Sequence, residues 1–348
     1  MFGRSAKPIR VQVFGKTDVG RSREHNEDRF LVADLTRKDA SLQPQVRQHD
    51  LGERGSLFVV ADGMGGAAAG ELASQMATDT IFAHLLKAWN AETEATPQRF
   101  AHRLKEAVEV ANANIHAHAK AHPEVRGMGT TTTAAGVLGD HLYLTQVGDS
   151  RAYLVRRGEA HQLTRDQSLM QRLVEAGELT EEEALHSERR NIILQALGPD
   201  PKVKVDLTHQ EVRRGDVLVL CSDGLSGQVK KEEIAQIVTQ ATDLAAACDK
   251  LIALANERGG PDNITVVMAR FDGDGLRSSG GGVGGQLEEI GHQVYPLIDT
   301  ETSTEPVPIY KGSRPPVRTK DARPRMLTVV LAALAALAAV VWYFTRSQ

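Results

Sequence analysis

Four aspartates stand where a strand stops or starts: Asp62 ends "VVADG", Asp149 ends "TQVGD", Asp223 ends "LVLCSDG", and Asp262 in "GGPDN" comes just before the strand "ITVVMARF". A fifth, Asp28 in "HNEDRF", immediately precedes its own strand. Singly, each reads as an Asx turn or a helix N-cap, because a short carboxylate bonds the nearby backbone at such places. Together they suggest chemistry. If the strand ends converge, they gather carboxylate oxygens with almost no Cys or His, a donor set for Mg²⁺ or Mn²⁺ and not for zinc or copper. A carboxylate driven off the end of a buried strand has to be paired or coordinated, since burying it alone costs several kcal/mol or more.

The elements that would position these acids are legible. Strands read at Val11–Phe14, Phe30–Asp34, Leu57–Ala61, Thr131–Leu138, His141–Val147, Ala152–Arg156, Val203–Gln210, Val217–Cys221 and Ile264–Phe271. Helices with apolar residues at 3–4 spacing read at Glu71–Trp89 and Pro97–Ala121, and others near Asp166–Ala176, Lys231–Val238 and Leu244–Arg258. Several strands follow one another through short Gly turns, as in "VLGDHLYL" and "VRRGEAHQL". That succession predicts antiparallel sheets with helices outside, an α+β architecture and not a βαβ alternation.

The chain of 348 residues is 41% hydrophobic and 25% charged, ordinary for a globular protein, and its 4% aromatic content leaves the core to Ala, Val, Leu and Ile. A net charge of −4 gives no electrostatic footprint for nucleic acid. Cys221 and Cys248 are too few for a disulfide framework, which favours a reducing compartment. The N-terminus, "MFGRSAKPIRVQV", lacks the apolar core of a secretory signal.

Strong periodic signals run from residue 10 to about 271, which sets a domain at 1–271, and stop at "DGDGLRSSGGGVGG", so residues 272–325 read as a flexible Gly/Ser, Thr/Pro and basic linker with a reach of about 40 Å. Residues 326–344, "MLTVVLAALAALAAVVWYF", carry no charge over 19 positions, enough to span a bilayer core, with Trp342 and Tyr343 at an interface. Lys311, Arg314, Arg318, Lys320, Arg323 and Arg325 precede the run and only "TRSQ" (345–348) follows it. The positive-inside rule then keeps the N-terminal domain in the cytoplasm, anchored to the cell (inner) membrane by a single C-terminal transmembrane helix, with a short extracytoplasmic tail.

Six stretches, "GRSREHNEDRF", "VVADGMGG", "GMGTTTT", "VGDSRAYL", "CSDGL" and "GGPDNITVV", occur in one order between residues 20 and 267. In these the chain resembles the PPM (PP2C-type) metal-dependent Ser/Thr protein phosphatases, in particular the bacterial branch. The resemblance implies an α-β-β-α four-layer sandwich of two antiparallel sheets flanked by helices, with two Mn²⁺ or Mg²⁺ ions at one end and room for a third, weaker ion. It further implies that Asp62 bridges the two ions and the Gly63 carbonyl serves the second. Asp223 and Asp262 would hold the first, and Asp149 with Asp223 would hold the third. Glu27 and Asp28 would anchor ion-bound waters, and Arg23 would clamp the substrate phosphate. The implied activity is hydrolysis of phosphoserine and phosphothreonine by a hydroxide bridging the ions, on phosphoproteins opposed by a membrane Ser/Thr kinase. A monomer is expected. Where many eukaryotic relatives carry a His, this chain has Met64, which leaves open the proton donor to the leaving group.

Other patterns carry less. Gly15-Lys16-Thr17 lacks the upstream Gly and the following helix of a phosphate-binding loop, and His118 and His122 read as a solvated helix end cut by Pro123. Arg151 reads as a salt-bridge partner of a nearby acid in preference to a second phosphate contact. Residues 165–195 are charged and helical and correspond to the family's variable flap beside the site. Two rival readings remain: a non-catalytic phosphoprotein-binding scaffold, and a phosphohydrolase of small phosphomonoesters.

Overall fold

The computed structural model describes residues 7–40, 47–279 and 290–297. Two six-stranded sheets form its centre. The first runs Glu159–Gln162 (β11), Arg151–Arg156 (β10), Val217–Cys221 (β13), Ile264–Asp272 (β14), Arg10–Asp18 (β1) and Arg47–Asp50 (β4). The second runs Asp206–Glu211 (β12), His141–Val147 (β9), Thr132–Leu138 (β8), Ser56–Ala61 (β5), Arg29–Asp34 (β2) and Asp39–Ala40 (β3). A two-stranded ribbon, Gly63–Met64 (β6) with Gly129–Thr130 (β7), stands apart from both. Neighbouring strands are antiparallel throughout.

The strands nearest the middle are buried almost throughout and carry long apolar runs because both their faces are covered. In β5, Leu57, Val59 and Ala61 enter the core shared with the helices Ala67–His84 (α1) and Pro97–Ala121 (α2), while Phe58 and Val60 enter the core between the sheets. In β13, Val217, Val219 and Cys221 face the helices Lys231–Gln240 (α6) and Leu244–Glu257 (α7), whereas Leu218 and Leu220 face the opposite sheet. The period of two thus divides one continuous apolar run between two cores. Three cores separate four layers, helices–sheet–sheet–helices, as the resemblance implied. Three shorter helices, Leu169–Glu175 (α3), Glu181–His186 (α4) and Asp223–Ser226 (α5), belong to connections.

Helix α2 starts where Thr96 accepts a hydrogen bond from the Arg99 N–H with Pro97 at the first helical position. Its buried stripe, Phe100, Leu104, Ala107, Val108, Ala111 and Ile115, keeps the 3–4 spacing read in the sequence. Each large apolar side chain sealed there contributes about 1.5–3 kcal/mol. The acids gather at one end of the sheets because antiparallel strands return to the same edge every second crossing.

The structured backbone does not stop at residue 271. Leu276 is buried in the core between the sheets, and the Gly275 N–H bonds the Pro8 carbonyl at 3.2 Å. Residues 290–297 lie along β12, the outer strand of the second sheet: the Tyr295 N–H donates to Leu207 O at 3.0 Å and the His209 N–H to Gln293 O at 2.9 Å. The Tyr295 ring meets Tyr143 edge-on at 5.2 Å. Glycine content hid this, because a Gly-rich stretch reads as flexible while its few apolar residues are the ones that dock. Gly273 illustrates the point: at φ 108° its missing side chain is required, since a Cβ would stand 2.3 Å from Pro8 O. The proposed span at 326–344 lies outside the described residues; among those described, no helix is long and apolar enough to cross a membrane.

Candidate active site

Strand β5 delivers Asp62 to a corner that grips its backbone. Its N–H donates to Thr131 Oγ1 at 3.2 Å, and its carbonyl accepts from the Thr131 N–H at 2.8 Å and from Thr130 Oγ1 at 2.9 Å. The next residue has to be glycine: a Cβ on Gly63 would lie 2.3 Å from Gly70 O and 2.7 Å from Glu27 O. Gly70, in the first turn of α1, is bare for a related reason. A Cβ there would fall 1.8 Å from Glu27 Oε2, so the Glu27 carboxyl lies directly against the helix.

Asp28, the residue before β2, is 4% exposed. Its Oδ2 accepts from Ser222 Oγ at 2.7 Å and Thr265 Oγ1 at 2.6 Å, while its Oδ1 is buried with no partner. Ser222 is the residue before Asp223, so these contacts join two of the acid-bearing strand ends. Asp223 opens α5, and its Oδ1 is likewise buried and unpartnered. Asn263 ties a third piece in, donating to Val19 O at 3.0 Å and His25 O at 2.9 Å and accepting from the Glu27 N–H at 2.8 Å. Asp149 sits at the β9–β10 corner after Gly148, which has φ 99°.

One cleft of about 260 Å³ is lined by Arg23, Glu27, Asp62, Asp149, Asp223 and Asp262 together. Gly63 and Met64 line it too; Asp28 lies behind it, reaching it through Ser222 and Asp223. The guanidinium of Arg23 does not point freely into the cleft. It forks onto Asp262, Nε to Oδ1 at 2.9 Å and Nη2 to Oδ2 at 2.8 Å. Sequence reading did not single out Asn263, Thr131, Asn191 or Ile193 as site residues, although all four line the cleft. Asn263 was within reach, as the residue completing "PDN"; Asn191 and Ile193 sit in a charged stretch with no local motif.

Burial pushes the carboxyls of Glu27, Asp28, Asp62, Asp149 and Asp223 above their ordinary range, and nearby aspartates push further. Asp28 is raised to about 7 and Asp149 to about 8. Asp62 and Asp223 open onto the cleft, yet both are surrounded by enough protein and enough negative charge to be raised as well. So many acids with so little positive charge call for cations. Among the described residues no three such side chains stand close enough to hold an ion as they are, and Asp262 has both oxygens on Arg23. The donors nonetheless fit hard divalent ions: they are all oxygen, and Asp28 Oδ1 and Asp223 Oδ1 are buried acceptors lacking any donor.

The minor patterns resolve as read. Arg151 binds Asp166 through Nε at 2.9 Å and Nη2 at 2.6 Å and adds the Tyr153 hydroxyl, a structural ion pair. Lys16 and Thr17 lie within β1, where Lys16 pairs with Asp249. His118 and His122 stack at 4.2 Å at the end of α2.

The family profile described as protein phosphatase 2C matches residues 32–259. The serine/threonine phosphatase stp of Listeria monocytogenes is 38% identical over 258 residues, 74% of this chain and 94% of that protein. The serine/threonine protein phosphatase PstP of Mycobacterium tuberculosis is 42% identical over 213 residues, 61% of this chain and 40% of that longer protein. A solved structure of the PstP catalytic domain in complex with two manganese ions superposes with a TM-score of 0.62 at 37% identity, covering 76% of this chain and 99% of that one. With these likenesses beside the acid-lined cleft, the chain belongs to the protein phosphatase 2C family and is a metal-dependent serine/threonine protein phosphatase working with Mn²⁺ or Mg²⁺.

Proposed function

We propose that the protein removes phosphate from phosphoserine and phosphothreonine of cytoplasmic-side phosphoproteins while tethered to the membrane by residues 326–344. The observation that supports the catalytic part is the single cleft in which acids from four separated strand ends meet Arg23. Asp62, Asp223 and Asp262 would hold the two ions, with the Gly63 carbonyl serving the second, and Asp149 with Asp223 would hold a third, weaker one. When bound, the ions neutralise phosphoryl oxygens and make water nucleophilic at neutral pH.

The chain's own residues do the rest. Arg23 presents a planar fork to the phosphate, which Lys cannot do, and its present hold on Asp262 keeps that fork at the mouth of the cleft. Glu27, on the side of the cleft nearest α1, would orient ion-bound water, with Asp28 supporting it from behind the cleft wall. Their backbone is held by Asn263 and Asn26, so the orientation is built before substrate arrives. Met64 lines the cleft without a titratable proton and so does not supply one to the leaving oxygen.

The tether is supported by the uncharged run of 326–344 and the basic residues before it. It places the enzyme beside membrane substrates, a membrane Ser/Thr kinase among them. The direct test measures Mn²⁺-dependent release of phosphate from a phosphothreonine peptide against a panel of phosphorylated metabolites, and locates the full chain by membrane fractionation. Preference for metabolites overturns the protein-phosphatase reading in favour of small phosphomonoesters; binding without turnover overturns it in favour of a scaffold. Recovery of the full chain in the soluble fraction overturns the tether.

A further inference from the structure

The segment that closes the flap presents a vacant strand edge to the cleft. Ile193 pairs antiparallel with Ser168, through Leu169 N–H to Ile192 O at 2.9 Å and Leu194 N–H to Gln167 O at 2.7 Å. In that pattern residues 168 and 193 are the pair without mutual bonds, so the N–H and C=O of Ile193 point outward, away from Ser168. They take no hydrogen bond from the described residues. Asn191 and Ile193 line the catalytic cleft, whereas Ile192 and Leu194, on the opposite face, are 44% and 43% exposed, two of only four large apolar side chains so open among the described residues. The edge is anchored one residue from Asp149: the Gln167 N–H donates to Gly148 O at 2.9 Å, and the Gly148 N–H to Gln167 Oε1 at 3.0 Å.

We propose that this edge binds the substrate backbone as an added strand and selects apolar residues on both sides of the phosphorylated one. The inference rests on the phosphoprotein reading above. Continuity with the cleft fixes the occupant as an extended segment of the substrate itself. A strand paired at Ile193 alternates its side chains between the two faces. When the phosphoresidue stands opposite Ile193 it enters the cleft; its immediate neighbours then emerge on the other face, against Ile192 and Leu194. Both outward groups of Ile193 bond the backbone of the phosphoresidue itself. An edge already paired on its inner side reduces the ordering needed when substrate binds.

The experiment compares two phosphothreonine peptides, with Val or with Ser at positions −1 and +1, on the full chain with Mn²⁺, using kcat/KM. Cross-strand apolar pairs predict a preference on the order of tenfold for the Val peptide. The double variant Ile192→Ser/Leu194→Ser should lose that preference while hydrolysing p-nitrophenyl phosphate at the wild-type rate. Methylating the backbone nitrogen of the phosphoresidue should reduce the Val peptide to the Ser peptide's kcat/KM on the wild-type chain. Equal rates on the two peptides, or a preference that survives in the double variant, overturns the docking edge. If p-nitrophenyl phosphate is hydrolysed and neither peptide is, the protein-substrate reading itself fails.

Discussion

Replacing Gly70 with Ala sets helix stability against site geometry. Gly inside a helix costs about 1 kcal/mol relative to Ala, so on propensity alone the substitution strengthens α1. The added methyl would stand 1.8 Å from Glu27 Oε2 and 2.7 Å from its Cδ, and 3.0 Å from the Gly63 carbonyl carbon. Ordinary contact begins near 3.4 Å, so the carboxylate has to retreat by more than about 1.5 Å. The Glu27 backbone cannot follow. Its N–H is held by Asn263 Oδ1 at 2.8 Å, and its carbonyl by Ser74 Oγ at 2.6 Å and the Gly63 N–H at 3.2 Å. The side chain therefore swings away and the backbone stays. Misplacement of a site group by about 1 Å costs roughly a hundredfold in rate, so kcat on a phosphopeptide should fall by about that factor. The melting temperature should hold or rise by a few degrees. Circular dichroism melts and initial rates with Mn²⁺ check both arms, and a cycle with Glu27→Ala checks the cause: if Gly70 acts through Glu27, the double variant is no worse than Glu27→Ala alone. Wild-type activity in Gly70→Ala, or a collapsed melting temperature, would refute the reasoning.

Asp223→Asn and Asp262→Asn should each weaken Mn²⁺ binding at least tenfold by calorimetry and depress turnover with it, since charge count sets affinity in an all-oxygen site; wild-type titration curves would exclude them as ligands. In the metal-free protein, stability should fall between about pH 4 and pH 8. Over that window the folded chain still holds protons on Asp28 and Asp149, raised to about 7 and about 8, that the unfolded chain has released. The thermal shift caused by Mn²⁺ should accordingly grow from pH 5 to pH 8, and a shift independent of pH would contradict the burial argument. Leu276→Ala should cost about 2–5 kcal/mol in urea unfolding, as for a buried leucine, despite its place in a Gly-rich stretch; a cost near zero would mean the segment is not docked.

Much of this was readable before any fold was known. The continuous apolar runs of β5 and β13, the 3–4 stripe of α2 and the acids at strand ends are local signals, because pleat and helix pitch convert spacing into facing with no help from the rest of the chain. Those signals placed helix Pro97–Ala121 and strands His141–Val147 and Val217–Cys221 at their observed limits. The strand Arg47–Asp50 was invisible, since a polar edge strand carries no apolar period.

What no window of sequence holds is convergence. Asp28 meets Ser222 and Thr265 across 194 and 237 residues, and Arg23 meets Asp262 across 239. The bare Cα of Gly70 becomes meaningful only when Glu27 lies on it. The outward edge of Ile193 exists only because Ser168 takes the inward one. The docked residues after β14 depend likewise on an edge strand supplied from elsewhere in the chain. Residue types and spacing thus determined the chemistry this chain could support and the elements that carry it. Which groups touch, and which acids lose water and gain protons, depended on burial and long-range contact, and only the tertiary structure brings those about.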